Sequence, residues 1–165
     1  MKKLFIFLFF SLNIILFAQT KTVTFSEIRW KGYKTLKAES LSHDGTIKLK
    51  SGNLLFKDNE ITGGNFVMDI TSMDAEDLNN KKKKKKMFEN HLKSDDFFDS
   101  VKFPESTFQI KSLKKLKNND YNYQINGILT IKGISKNLSF PAKISQANNQ
   151  TTLKSATFTF NSKNF

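Results

Sequence analysis

The stretch Tyr121-Asn122-Tyr123-Gln124-Ile125-Asn126-Gly127-Ile128-Leu129-Thr130-Ile131-Lys132 decides the fold. Tyr121, Tyr123, Ile125, Leu129 and Ile131 fall on one set of alternate positions, with Gly127 among them. Asn122, Gln124, Asn126, Ile128, Thr130 and Lys132 fall on the other. A period of two places the first set on one face of a β-strand and the second on the opposite face. So long a run is unusual in a flat sheet and suits the wall of a curved barrel. Glycine inside such a run marks a bend or bulge of the kind barrel corners need.

The same alternation extends outward from this run. Val23 and Phe25 carry it, then Ile47 and Leu49 between Thr46, Lys48 and Lys50. It continues in Phe66, Met68 and Ile70, in Phe108 and Ile110, and in Leu138, Phe140, Ala142 and Ile144. It ends with Phe158 and Phe160 between threonines. Turn-forming clusters separate the runs: Ser51-Gly52-Asn53, Lys57-Asp58-Asn59-Glu60, Asn118-Asn119-Asp120 and Asn148-Asn149. His43-Asp44 before Gly45 reads as a further turn. Short spacings favour antiparallel neighbours joined by hairpins. The expected class is therefore all-β and antiparallel.

Asp74 to Leu92 lacks alternation. Asp74, Glu76 and Asp77 precede Lys81–Lys86, an order that suits a helix dipole. Met87, Phe88, His91 and Leu92 then show helical spacing. A helical excursion between two strands is expected. The lysine run itself reads as solvated surface, mobile through mutual repulsion.

Residues 1–18 have the layout of a secretory signal peptide. Lys2 and Lys3 form the basic start, Leu4 to Phe17 is almost wholly apolar, and Ala18 precedes the expected cut at Gln19. The apolar stretch is short for a membrane span, and an uncleaved anchor helix is the alternative. Residues 19–165 then form one domain, expected in the bacterial periplasm or secreted. The chain has no cysteine, which excludes disulfides, thiolate metal sites and cysteine nucleophiles. The net charge of +12 includes the local block Lys81–Lys86, so it does not describe a surface that follows a nucleic-acid backbone.

The catalytic inventory is thin. His43 and His91 are the two histidines. His91, with Asp95 and Asp96 nearby, is a weak acid–base or metal constellation. No phosphate-binding glycine loop or nucleophile elbow occurs, and no cofactor is called for. The 17 phenylalanines say more. Five (Phe5, Phe7, Phe9, Phe10 and Phe17) lie in the signal segment, and Phe97, Phe98 and Phe103 cluster ahead of Pro104. Each taken singly reads as core, but a barrel interior lined by Phe, Ile, Leu and Met also suits a hydrocarbon chain.

His91-Leu92-Lys93-Ser94-Asp95-Asp96-Phe97-Phe98-Asp99, with Lys102-Phe103-Pro104 and Thr107-Phe108 after it, resembles the YceI-like family of exported polyisoprenoid-binding proteins. Ile125–Gly133, Leu138–Ala142, Trp30–Gly32, His43–Ile47 and Gly63–Asp69 extend the resemblance over nearly all of residues 19–165. The resemblance implies an eight-stranded, lipocalin-like antiparallel barrel with one helical insertion. It also implies a long apolar tail bound inside, in the periplasm, without catalysis. The cavity is then expected to be walled by Trp30, Phe66, Met68, Ile70, Phe97, Phe98, Phe103, Phe108, Tyr123, Ile125, Leu129, Ile131, Phe140 and Phe158. His43, His91 and Asp95 are expected at its mouth.

The family pattern continues past a segment like Thr157–Asn161 with a glycine and at least one further strand. Here the sequence stops at Phe165. A barrel without its last strand would keep an open edge, unless another segment closes it. Two other functions remain as alternatives: a small exported hydrolase-like enzyme using His91 and Asp95, and a basic adaptor that binds anionic membrane or protein through Lys81–Lys86.

Overall fold

In the computed structural model of the protein, which describes residues 18–33, 42–117 and 120–165, the long alternating run is a strand, Tyr123–Ile131. It is one of eight antiparallel strands in a single sheet. These are β1 (Gln19–Thr22), β2 (Ile28–Tyr33), β3 (Ser42–Lys57), β4 (Glu60–Asp74), β5 (Glu105–Lys115), β6 (Tyr123–Ile131), β7 (Ile134–Ala147) and β8 (Gln150–Ser155). One α-helix, α1 (Lys82–Lys93), lies between β4 and β5, after a 3-10 turn at Glu76–Leu78. From β3 to β8 each strand pairs with the next, while β1 and β2 pair with different stretches of β3. The sheet curls into a half-barrel, and among the described residues β8 does not pair back to β1 or β2.

The tight hairpins have a common cause. Asp58 and Asn59 (φ 51° and 64°), Lys132 and Gly133 (49° and 75°), and Asn148 and Asn149 (50° and 62°) are consecutive left-handed residues. Two such residues give the turn whose twist matches flanking strands. Asn118 and Asn119, read as another turn, lie outside the described residues, as do residues 1–17 of the expected signal segment 1–18.

Along β6 the buried positions are Ile125, Gly127, Leu129 and Ile131. The opposite face carries a polar ladder. The Gln124 amide donates to Ser139 Oγ (2.7 Å), Ser139 Oγ donates to Asn126 Oδ1 (2.7 Å), and the Thr130 and Ser135 hydroxyls meet at 2.8 Å. One face thus removes hydrocarbon from water while the other keeps its polar groups paired.

Four local expectations are corrected. Ser51-Gly52-Asn53 is not a turn. It lies inside β3, beside a register shift between Leu49 and Ser51. A bulge bends a long strand without ending it. His43-Asp44-Gly45 is likewise strand, and Gly45 serves a close approach: a Cβ there would sit 1.8 Å from the Asp74 carbonyl oxygen. Phe158 and Phe160 are not on a strand, since among the described residues the segment after β8 makes no strand pairing in the sheet, and Val23 and Phe25 likewise fall between β1 and β2 rather than on a strand.

The helical excursion is present, but its electrostatics differ from the sequence reading. Asp74 ends β4, Glu76 and Asp77 sit in the 3-10 turn, and α1 opens on lysines with no acidic residue in its first turn. The lysines therefore oppose the helix dipole.

Candidate functional site

The concave face of the sheet carries the larger apolar cluster. Leu54 and Phe56 come from β3, Phe108 and Ile110 from β5, Ile125, Leu129 and Ile131 from β6, and Phe140 and Ala142 from β7. Phe66, Met68 and Phe98 pack against them. The bend expected at Gly127 belongs to a close contact between strands. Its missing side chain makes room for Phe108, whose Cζ would lie 2.5 Å from a Cβ there, and the bulge falls across from it in β5, between Ile110 and Ser112.

Aromatic rings form a row across this face. Phe66 of β4 lies 6.5 Å from Phe108 of β5, Phe108 lies 5.4 Å from Phe140 of β7, and Phe140 stacks on Phe158 at 4.7 Å. Phe158 belongs to the segment after β8, which is tied to the sheet by the Ala156 amide donating to the Pro141 carbonyl (2.8 Å). Phe165, farther along the same segment, is buried in the large cluster, with Phe160 edge-on to it at 5.6 Å. The concave face is thus filled in part by side chains from a segment outside the sheet.

The smaller cluster closes one end. Ile70 and Met73 of β4 meet Leu92 of α1, with Trp30, Ile47, Phe88, Phe97 and Phe98 around them. Phe98 touches both clusters. The Trp30 indole donates to the Thr46 carbonyl at 3.0 Å. His43 binds the helix end to the sheet: its Nδ1 is 2.7 Å from Asp77 Oδ2, and its ring is 4.3 Å from that of Phe88. Burial alone would raise the Asp77 carboxyl. The His43 hydrogen bond, the Asp44 amide at 3.2 Å and the nearby imidazole outweigh it and hold the group below its ordinary value.

The structure thus divides the expected cavity residues. Phe66, Met68, Phe98, Phe108, Ile125, Leu129, Ile131 and Phe140 meet on the concave face, while Trp30, Ile70 and Phe97 belong to the end cluster. Tyr123 stands at the rim with its hydroxyl 3.4 Å from Glu60 Oε2, and Phe103 lies apart, under the Lys102 ammonium at 5.2 Å. His91 and Asp95 do not bond to each other among the described residues. The His91 ring meets Phe97 at 6.1 Å, and Asp95 accepts from the Asp96 amide at 3.1 Å.

Sequence reasoning missed Leu54, Phe56, Phe165 and Asp77. The alternation of Leu54 with Phe56 could have signalled the first two, had the preceding Ser-Gly-Asn not been taken for a turn. Nothing local marks Phe165.

Two surface recesses are lined by different elements. One, of about 690 Å³, is lined by Lys81 to Lys84, Met87, Phe88 and His91. The other, of about 140 Å³, lies among Asn59, Glu60, Ile61, Asn122, Tyr123, Ile144 and Gln146.

A curled antiparallel sheet with a polar convex face, an aromatic concave face and one helix across an end defines a lipocalin-like, half-barrel protein. The sequence over residues 18–165 matches the YceI-like domain, and the chain belongs to that family. The family is known for polyisoprenoid-binding barrel proteins and is one of binding proteins, not enzymes. The chain is 31% identical over 107 residues to the UPF0312 protein VPA0850 of Vibrio parahaemolyticus, a match covering 64% of this chain and 51% of that protein. It therefore spans about half the length of this curated relative. The fold is similar to that of BcnA of Burkholderia cenocepacia, with a TM-score of 0.59, 20% identity, and coverage of 78% of this chain and 74% of that one. A YCEI protein of Campylobacter jejuni gives a TM-score of 0.42 at 23% identity, covering 76% of this chain and 60% of that one.

Proposed function

We propose that the protein is a carrier that holds a long apolar chain, of polyisoprenoid type, against its concave face. The observation that carries this reading is the row Phe66–Phe108–Phe140–Phe158, which gives an extended hydrocarbon a continuous aromatic track. Removing such a chain from water contributes about 25 cal/mol per Å² of apolar area. Phe158 ends this track on a segment tied to the sheet by the Ala156–Pro141 hydrogen bond, so that segment is the part that would shift to cover a ligand tail. The rigid wall would stay in place while that segment moves.

We also read the protein as exported to the periplasm or beyond. The described sheet starts at Gln19, next to the expected cut, so signal removal would leave it intact. Amino-terminal sequencing of the protein recovered outside the cytoplasm should begin at or near Gln19.

The binding reading is tested by native mass spectrometry of the protein purified through a bacterial membrane extract. The expected spectrum contains a long prenyl lipid as a retained mass. Empty protein that also fails to take up added prenyl lipids would reject the reading.

A further inference from the structure

The six lysines of Lys81–Lys86 do not form one uniform surface. Lys85 turns inward. Its ammonium lies 2.6 Å from Asp74 Oδ1, 2.6 Å from Asn79 Oδ1 and 3.7 Å from Glu89 Oε1, and these carboxylates raise its pKa. Glu89 in turn accepts from the Ala75 amide at 2.9 Å, so Lys85 helps fasten α1 to the end of β4. Lys81, Lys82, Lys83, Lys84 and Lys86 are exposed, and none has a carboxylate partner among the described residues. They crowd the amino end of a helix that has no side-chain cap and no acid in its first turn. Lysines there repel one another and the positive end of the helix dipole. The fold keeps an uncompensated cationic face that an anionic partner would relieve.

The form of this face narrows the partner. All the residues lining the 690 Å³ recess come from α1 and the residue that precedes it, so it is an open helix flank and not a walled pocket. A flat partner suits it better than a small ligand. Met87 stands among the lysines with 65% of its surface exposed, beside half-buried Phe88. Cations around an exposed apolar side chain are the arrangement by which a helix lies on an anionic bilayer, with charges at the phosphates and the apolar group below them.

We propose that the exposed flank of α1 docks the protein on an anionic lipid bilayer. This deepens the carrier reading by naming the surface from which an apolar tail is collected, but it uses a different part of the molecule. Docking needs Lys81 to Lys84, Lys86 and Met87, whereas tail binding needs the concave face.

The test is co-sedimentation of the full chain with phosphatidylcholine vesicles, with and without phosphatidylglycerol. Binding is expected only with phosphatidylglycerol, and to fall as salt rises. The variant K82Q/K83Q/K84Q/K86Q should bind at least about tenfold more weakly. The control K111Q/K114Q/K136Q/K154Q, which removes as many exposed charges from strands, should bind like the parent. Replacing lysines in the first helical turns eases repulsion, so the helix variant is expected to fold, and circular dichroism checks that it does. Met87→Gln should lower the binding that survives at high salt. Equal losses in the two quadruple variants would overturn the proposal. So would tight binding to an acidic peptide such as polyglutamate without vesicle binding. Prenyl-lipid uptake from solution is measured in parallel. Uptake retained by a protein that ignores anionic vesicles defeats docking alone. Vesicle binding without uptake supports docking and defeats the carrier reading.

Discussion

The concave face and the helical end are both apolar, yet they are built for opposite purposes. On the concave face every contributing strand is held by its neighbours' backbone hydrogen bonds, and the side chains stand in a row on a rigid wall. At the helical end the apolar contacts come from non-repetitive geometry: a 3-10 turn, one helix and the Phe97–Phe98 turn gathered on Ile70 and Met73. There, side chains and partly exposed polar links do the joining, with His43 on Asp77 and Lys85 on Asp74. The wall can lose and regain what lies against it without unfolding. The end cap depends on specific partners and fixes where the cationic flank points.

That contrast is tested most severely at Phe108, whose ring contacts Phe66 and Phe140 and fills the space left by Gly127. Phe108→Ala should destabilise the whole domain by about 3–5 kcal/mol in urea unfolding and abolish lipid retention. Leu92→Ala should cost about 2–3 kcal/mol. Its signature should be local, because Trp30, the only tryptophan, lies in the end cluster. Tryptophan fluorescence should report loosening of the cap while prenyl-lipid uptake persists. If Leu92→Ala removes uptake as fully as Phe108→Ala, the two regions are one unit and the comparison fails.

A smaller effect is expected from Asp77→Asn, about 1 kcal/mol near neutral pH. The folded state holds the Asp77 carboxyl below its ordinary value. Its contribution is therefore complete above the ordinary carboxylate range and is lost as pH falls through the lowered folded value. Stability curves of the parent and Asp77→Asn should converge below about pH 4. A gap that stays constant into strong acid would remove the His43–Asp77 pair from this account.

The wall was legible in the sequence because β periodicity is local: Ile125, Leu129 and Ile131 announce their face by spacing alone, and Asp58-Asn59 and Asn148-Asn149 announce their turns. Ser51-Gly52-Asn53 misled because the composition of a bulge and that of a turn are the same, and only the partner strand distinguishes them. The helix was legible by its loss of alternation. Its dipole logic was not, since whether Asp74, Glu76 and Asp77 fall inside or before the helix depends on where β4 ends. Asp77 as the partner of His43, Lys85 as the one inward lysine, and Phe165 in the core all rest on contacts between distant segments, which no local pattern encodes.

Photo-crosslinking with a prenyl chain that carries a diazirine near its tail tests the central claim most directly. Labelled peptides should map to Phe66, Phe108, Phe140 and Phe158, and labelling of Phe158 should fade first when the tail is shortened. Label confined to Met87, Phe88 and the neighbouring lysines of α1, with the concave face untouched, would contradict it.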